Sequence, residues 1–142
     1  MVLHGSCLCG GVKYEVDITE EESKATSLCH CRVCRKYTSS TASLNLVVPE
    51  PNFKLTSGTL EKFSTIHCDE GFELGYTFCG KCACVLYATA PAVAPGTVIV
   101  QVGSLDDTGP LEAKPSVELN TVHRPTWVEA LQGVEQRKTY AP

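Results

Sequence analysis

Apolar residues recur at every second position along much of the chain. In "GVKYEV", Val12, Tyr14 and Val16 alternate with Lys13, Glu15 and Asp17, the period-two pattern of a strand with one buried face. Short runs of similar character follow in "SLNLVV", "LEKFSTI", "FELGYTF", "VLYATA" and "TVIVQVG". Clusters such as "PEPN", "TSG" and "APG" separate them, and their Gly, Pro and Asn residues favour turns. Helical signals are confined to a turn after Cys31 and a short piece around "PTWVEALQG". There Pro125 suits a first helical turn and Gly133 an exit. No internal repeat, low-complexity tract or linker interrupts the pattern, which predicts one all-β domain over residues 1–142 with at most short helical turns.

Composition narrows the function classes. A chain of 142 residues buries one core rather than two. Its formal charge of −4 argues against an electrostatic grip on nucleic acid or on an anionic membrane surface. The start of the chain, "MVLHGSCLCGGVKYEV", has no apolar signal-like region, and no later run approaches a membrane span. The expectation is a soluble, cytoplasmic protein with neither a nucleic-acid nor a membrane partner. Exposed sheet edges leave monomer and homodimer both open.

Nine cysteines in such a chain require a cause. Their number is odd, and residues two apart in "CLC", "CHC" and "CAC" are poorly placed to bridge to one another. Clustered thiols in a reducing compartment serve metals more often than disulfides. A structural zinc takes four ligands, with sulfurs about 3.8 Å apart at tetrahedral positions. Two chelating pairs meet that need: Cys7-x-Cys9, placed at the start of the first strand, and Cys79-Gly80-Lys81-Cys82 on a glycine-containing turn. Joined by a metal, they close a long loop and tie the N-terminal strand to the middle of the sheet.

Cys29, Cys31 and Cys34 then remain, three thiols on one segment with no second pair to complete a four-sulfur cage. Three protein ligands and an open position form the pattern of a catalytic zinc. Arg32, Arg35 and Lys36 would favour thiolate there, and "YTSSTAS" downstream supplies hydroxyls for a polar ligand. Cys68, His67 or His30 are alternative fourth ligands, which would make both zincs structural. His30, set between two ligating cysteines, is read as pointing to solvent or capping the turn. Cys84 is read as a core thiol close to the first zinc.

The segments "GSCLCGGVKY", "CHCRVCRK", "FCGKCACVLY", "VGSLDD" and "HRPTWVE" resemble, in order and spacing, the glutathione-dependent formaldehyde-activating enzyme family, shared with centromere protein V. The likeness runs from Gly5 to about Trp127. It implies a β-tent, stacked antiparallel sheets pinned by zinc, with two Zn²⁺ per chain. The structural zinc would be held by Cys7, Cys9, Cys79 and Cys82, and the functional zinc by Cys29, Cys31 and Cys34. It further implies carbon–sulfur lyase chemistry on a small-molecule thiol adduct, the named reaction joining formaldehyde to glutathione. Two departures from the family pattern stand out, of which the second weakens the match to glutathione. The glycine that commonly follows the second pair is Ala83 here, with an added thiol at Cys84. A basic residue that usually precedes that pair is replaced by "GYT".

Three thiolates outweigh the charge of a zinc ion and suit it to sulfur and to eliminations. Carbon–sulfur bond making or breaking, or dehydration of a hydroxylated carbon, follows. His67 is the candidate acid or base, with Cys68 as an extra ligand. The alternatives are a tailoring enzyme acting on a larger specialised metabolite at the same zinc, and a non-catalytic zinc-stabilised interaction module.

Overall fold

The computed structural model describes residues 1–142. In chain order its strands are β1 (Val2–Ser6), β2 (Lys13–Asp17), β3 (Thr26–Cys29), β4 (Ser43–Pro49), β5 (Phe53–Ser57), β6 (Leu60–Ile66), β7 (Glu73–Cys79), β8 (Val85–Thr89), β9 (Thr97–Gln101), β10 (Val117–Leu119) and β11 (Glu135–Gln136). Three short helices interrupt them: α1 (Glu20–Ser23), α2 (Arg32–Thr38) and α3 (Gly109–Glu112). The strands form two open sheets, β1-β2-β5 and β11-β10-β3-β4-β9-β8-β7-β6, neither closed into a barrel.

The core lies between the sheets, and alternation builds it. Val12, Tyr14 and Val16 turn inward from the smaller sheet, against Leu46 and Val48 of β4 and Val98 and Val100 of β9. Tyr14 stacks on Phe53 with ring centroids 4.8 Å apart, and Phe53 meets Tyr87 of the larger sheet edge-on at 4.9 Å. The Tyr14 hydroxyl reaches Ser104 Oγ at 2.7 Å, which satisfies its polar end inside the core. Gly5 sits opposite Tyr14 in the ladder, where a Cβ would overlap the ring.

The central strands are two-faced, and this positions the site. Leu46 and Val48 face the core, while Asn45 and Val47 of the same strand line a cavity on the other side of the larger sheet. Their partner strand repeats the pattern: Val98 and Val100 face inward and Ile99 faces the cavity. The larger sheet therefore carries the core on one face and a cavity on the other.

Three expectations are corrected and one is extended. The sheets are not wholly antiparallel, since β10 runs parallel to both β3 and β11. The segment "PTWVEALQG" is not helical beyond a single turn closed by Val128 N–H to Pro125 O at 3.0 Å. The buried Glu118 carboxylate takes the Leu131 N–H at 2.8 Å, so a tertiary bond engages backbone that a helix would have used. The turn after Cys31 is a seven-residue helix, α2. Cys7 and Cys9 lie in the turn that follows β1, not at the start of the first strand.

Candidate functional site

The turn between β1 and β2 meets the turn between β7 and β8, and the two bring Cys7, Cys9, Cys79 and Cys82 together. Their four sulfurs lie within 4.8 Å of one another, with Cys7 and Cys9 at 3.5 Å and Cys9 and Cys79 at 3.9 Å. Those separations match the roughly 3.8 Å of sulfurs around one tetrahedral zinc. Backbone donors surround the set: Val12 N–H reaches Cys7 Sγ at 3.3 Å, and Lys81 and Cys82 N–H reach Cys79 Sγ at 3.4 and 3.5 Å. The Val12 N–H is the leading cause that brings the Cys7 thiol down to about 6, burial opposing it. A donor set of four thiols whose sulfurs already accept amide hydrogens fits a zinc ion. Ala83 closes the second turn at φ +62°, a backbone region that favours glycine. Cys84 is half-buried against the core beside this set, and burial raises its thiol.

The second cluster is Cys29, Cys31 and Cys34, also within 4.8 Å of one another. Cys29 ends β3, and Cys31 is the N-cap of α2, its sulfur accepting from Cys34 N–H at 3.2 Å. Asn120 Nδ2 donates to Cys29 Sγ at 3.5 Å. All three thiols are buried. Hydrogen bonds from Cys29 and Cys34 hold the Cys31 thiol far below the ordinary thiol range despite burial, with Tyr140 adding to the effect. Cys34 is pushed up by hydrogen bonds with Cys29 and Cys31 and by burial. One thiolate supported by two thiols and an amide N–H, with a side-chain amide on Cys29, is a donor set that also fits a soft cation.

This trio forms part of the wall of a cavity of about 400 Å³ on the outer face of the larger sheet, and seventeen of its twenty-four lining residues are hydrophobic. The quartet does not line it. The hydroxyls expected beside the trio lie elsewhere: Thr38, Ser39 and Ser43 line a second space of about 510 Å³. Tyr37 lies between the two, its hydroxyl accepting from Gln101 Nε2 at 3.0 Å.

His67 lines the cavity, although it does not join the trio. Its Nδ1 accepts from Asp69 and Glu70 N–H at 3.1 and 3.2 Å, which fixes the ring hydrogen on Nε2. That Nε2 lies 2.9 Å from the Tyr140 hydroxyl, and the Tyr140 ring packs on the three cysteines. Cys68 is exposed and groups with His67 and Asp69, not with the trio. The Arg32 charge is met by a two-pronged pair with Asp69, so it is not directed at the thiols.

His30 neither points to solvent nor caps a turn. It is 1% exposed, and its Nε2 lies 2.8 Å from Glu118 Oε1. Glu118 Oε2 in turn accepts from Leu131 N–H at 2.8 Å and Gln136 Nε2 at 2.6 Å, with Arg124 at 3.5 Å. The segment after Arg124 is thereby fastened beside β10, and it delivers Arg137 and Tyr140 to the cavity. Sequence reasoning passed over Glu118, Asn120, Arg137 and Tyr140. None lies within a cysteine motif, and only the parallel pairing of β10 with β3 and β11 brings them there.

A β-sheet architecture with one four-cysteine and one three-cysteine cluster, each able to hold a metal ion, defines the class. The family model for glutathione-dependent formaldehyde-activating enzyme matches residues 2–123, and the chain belongs to that family. No curated protein sequence matches it. Among solved structures it is similar to a crystal structure of a Rhodobacter sphaeroides protein determined as a structural-genomics target. That likeness has a TM-score of 0.60 and 19% identity, over 80% of this chain and 98% of the other. At that identity it supports the fold alone.

Proposed function

We propose that the protein is a zinc-dependent enzyme with carbon–sulfur lyase-type chemistry. It would act on thiol adducts of aldehydes or related electrophiles at Cys29, Cys31 and Cys34. The observation that carries this reading is that the trio, and not the quartet, opens on the apolar cavity of about 400 Å³. Volumes of that order suit a small organic molecule. In this reading Cys7, Cys9, Cys79 and Cys82 hold a structural zinc and the trio a second one, which supplies Lewis acidity and stabilises a thiolate when bound.

The chain's own residues would do the rest. The apolar wall of Val33, Val47, Phe72, Leu74 and Ile99 takes the carbon skeleton and excludes water. His67 Nε2–H donates to the Tyr140 oxygen, leaving the Tyr140 O–H to point its proton at an acceptor beside Cys31. Addition forms one carbon–sulfur bond, and the thiol proton ends on the former carbonyl oxygen. Elimination breaks that bond and returns the proton to sulfur. The hydrophobic lining favours an electrophile larger than formaldehyde, while the peptide part of a thiol such as glutathione stays outside in water.

The test is exchange NMR of glutathione with 2-naphthaldehyde and, separately, with formaldehyde, in the presence of zinc-loaded protein. Faster interconversion with the aromatic aldehyde, lost in Cys31→Ser, is expected. Absence of acceleration with either aldehyde in a chain carrying two zincs would instead support a non-catalytic, zinc-stabilised interaction module.

A further inference from the structure

Of the residues that line the trio's cavity, Arg137 is the single lysine or arginine, and none is an aspartate or glutamate. Its position is fixed by backbone. Arg137 N–H donates to Glu118 O at 2.9 Å and Arg137 O accepts from Thr121 N–H at 3.0 Å, so the residue is laid along β10 like a strand. Its side chain is 27% exposed, which places the guanidinium at the rim. Nε donates to Glu135 Oε1 at 2.6 Å and Nη1 to Tyr140 O at 3.4 Å, and these leave Nη2 without a protein acceptor. Glu135 is itself half exposed, so its hold on the guanidinium is that of a surface pair and is exchangeable. Both Arg137 and Tyr140 lie beyond residue 123, where the match to the family model ends.

From this geometry we infer that the cavity selects an apolar molecule bearing a carboxylate or an equally delocalised organic anion, with Arg137 as the residue that recognises it. The inference rests on the reading of this cavity as the substrate site and names its substrate class. A planar guanidinium pairs two donors with two anionic oxygens, and a cavity wall of low dielectric strengthens that pairing over its value in water. Glu135 serves as a placeholder that keeps the guanidinium extended toward the rim until a ligand anion competes for it. The apolar lining supplies affinity for the skeleton, and Arg137 supplies orientation, turning the uncharged end toward the cysteines. Because the determinant sits outside the matched stretch, substrate choice in this chain is written in its last twenty residues or so and not in its cysteine motifs.

The experiment uses the full zinc-loaded chain and two fluorescent probes of equal shape, anthracene-2-carboxylate and anthracene-2-carboxamide, titrated by fluorescence anisotropy. The wild-type chain is expected to bind the carboxylate at least tenfold more tightly than the carboxamide. Arg137→Gln should bring the two within about twofold, Arg137→Lys should keep part of the preference, and Glu135→Gln should tighten the carboxylate alone. Circular dichroism and zinc content establish that each variant is folded and loaded. Equal affinities in the wild type, a preference that survives Arg137→Gln, or no binding of either probe would overturn the inference. Thiol–aldehyde exchange measured on the same samples reports on the catalytic reading separately, since a neutral aldehyde needs no anion site.

Discussion

His30 Nε2 and Glu118 Oε1 lie 2.8 Å apart, with both residues almost wholly shielded from water. Eighty-eight positions of sequence separate them, yet the pair fastens the segment between Cys29 and Cys31 to the strand that organises the C-terminal tail. Burial alone would raise the Glu118 carboxyl. Hydrogen bonds from Gln136, His30 and Leu131, with the charge of Arg124, outweigh burial and hold it below the ordinary carboxylate range.

Glu118→Gln should therefore cost about 3 kcal/mol at neutral pH, since it leaves buried donors around a neutral amide. The sign follows from the depressed carboxyl: its contribution is present above the unfolded-state value and is lost as pH falls through the lower folded value. Thermal melts of wild type and variant should differ widely at pH 7 and converge in acid. A gap that persists undiminished at low pH would assign the stabilisation to packing.

Tyr140→Phe keeps the ring against the trio and removes the hydroxyl that His67 addresses at 2.9 Å. Loss of a partner just outside a metal's ligands typically weakens metal binding about tenfold or more. Competition with a chelator should show that loss at the trio alone, with the quartet's zinc unaffected. Equal affinity in the two proteins would confine Tyr140 to packing.

Much of the strand order was legible from alternation. Val12, Tyr14 and Val16 are buried as the pattern predicts, and all six quoted runs contain strands. Less legible were β1, β3, β5, β10 and β11, which are short or edge-placed and lack a clean period. Chelating spacing pointed to the two cysteine clusters because local chain geometry limits which thiols can meet. It carried no information on Tyr140 or Glu118, whose positions depend on parallel pairing over long separations. Nor did it foresee the fate of His30: a histidine between two cysteines reads the same whether its partner is solvent or a buried carboxylate.

Ala83 is a small case where sequence and structure explain each other. The glycine expected after the second cysteine pair is absent, and Ala83 takes φ +62° in its place. A Cβ in the left-handed region costs about 1 kcal/mol. Ala83→Gly should recover about 0.5–1 kcal/mol after the entropy of the unfolded glycine is counted, seen as a rise of a few degrees in Tm. An unchanged or lower Tm would mean that the turn holds Ala83 without strain.

The division of labour between the two clusters is most directly tested by zinc per chain, determined by elemental mass spectrometry on the purified wild type and on Cys31→Ser. Two zincs in the wild type, and one in a variant that keeps its circular dichroism and melting behaviour, is the predicted result. Loss of both zincs together with the fold in Cys31→Ser would contradict it, because the trio would then be holding the sheets and not facing a substrate.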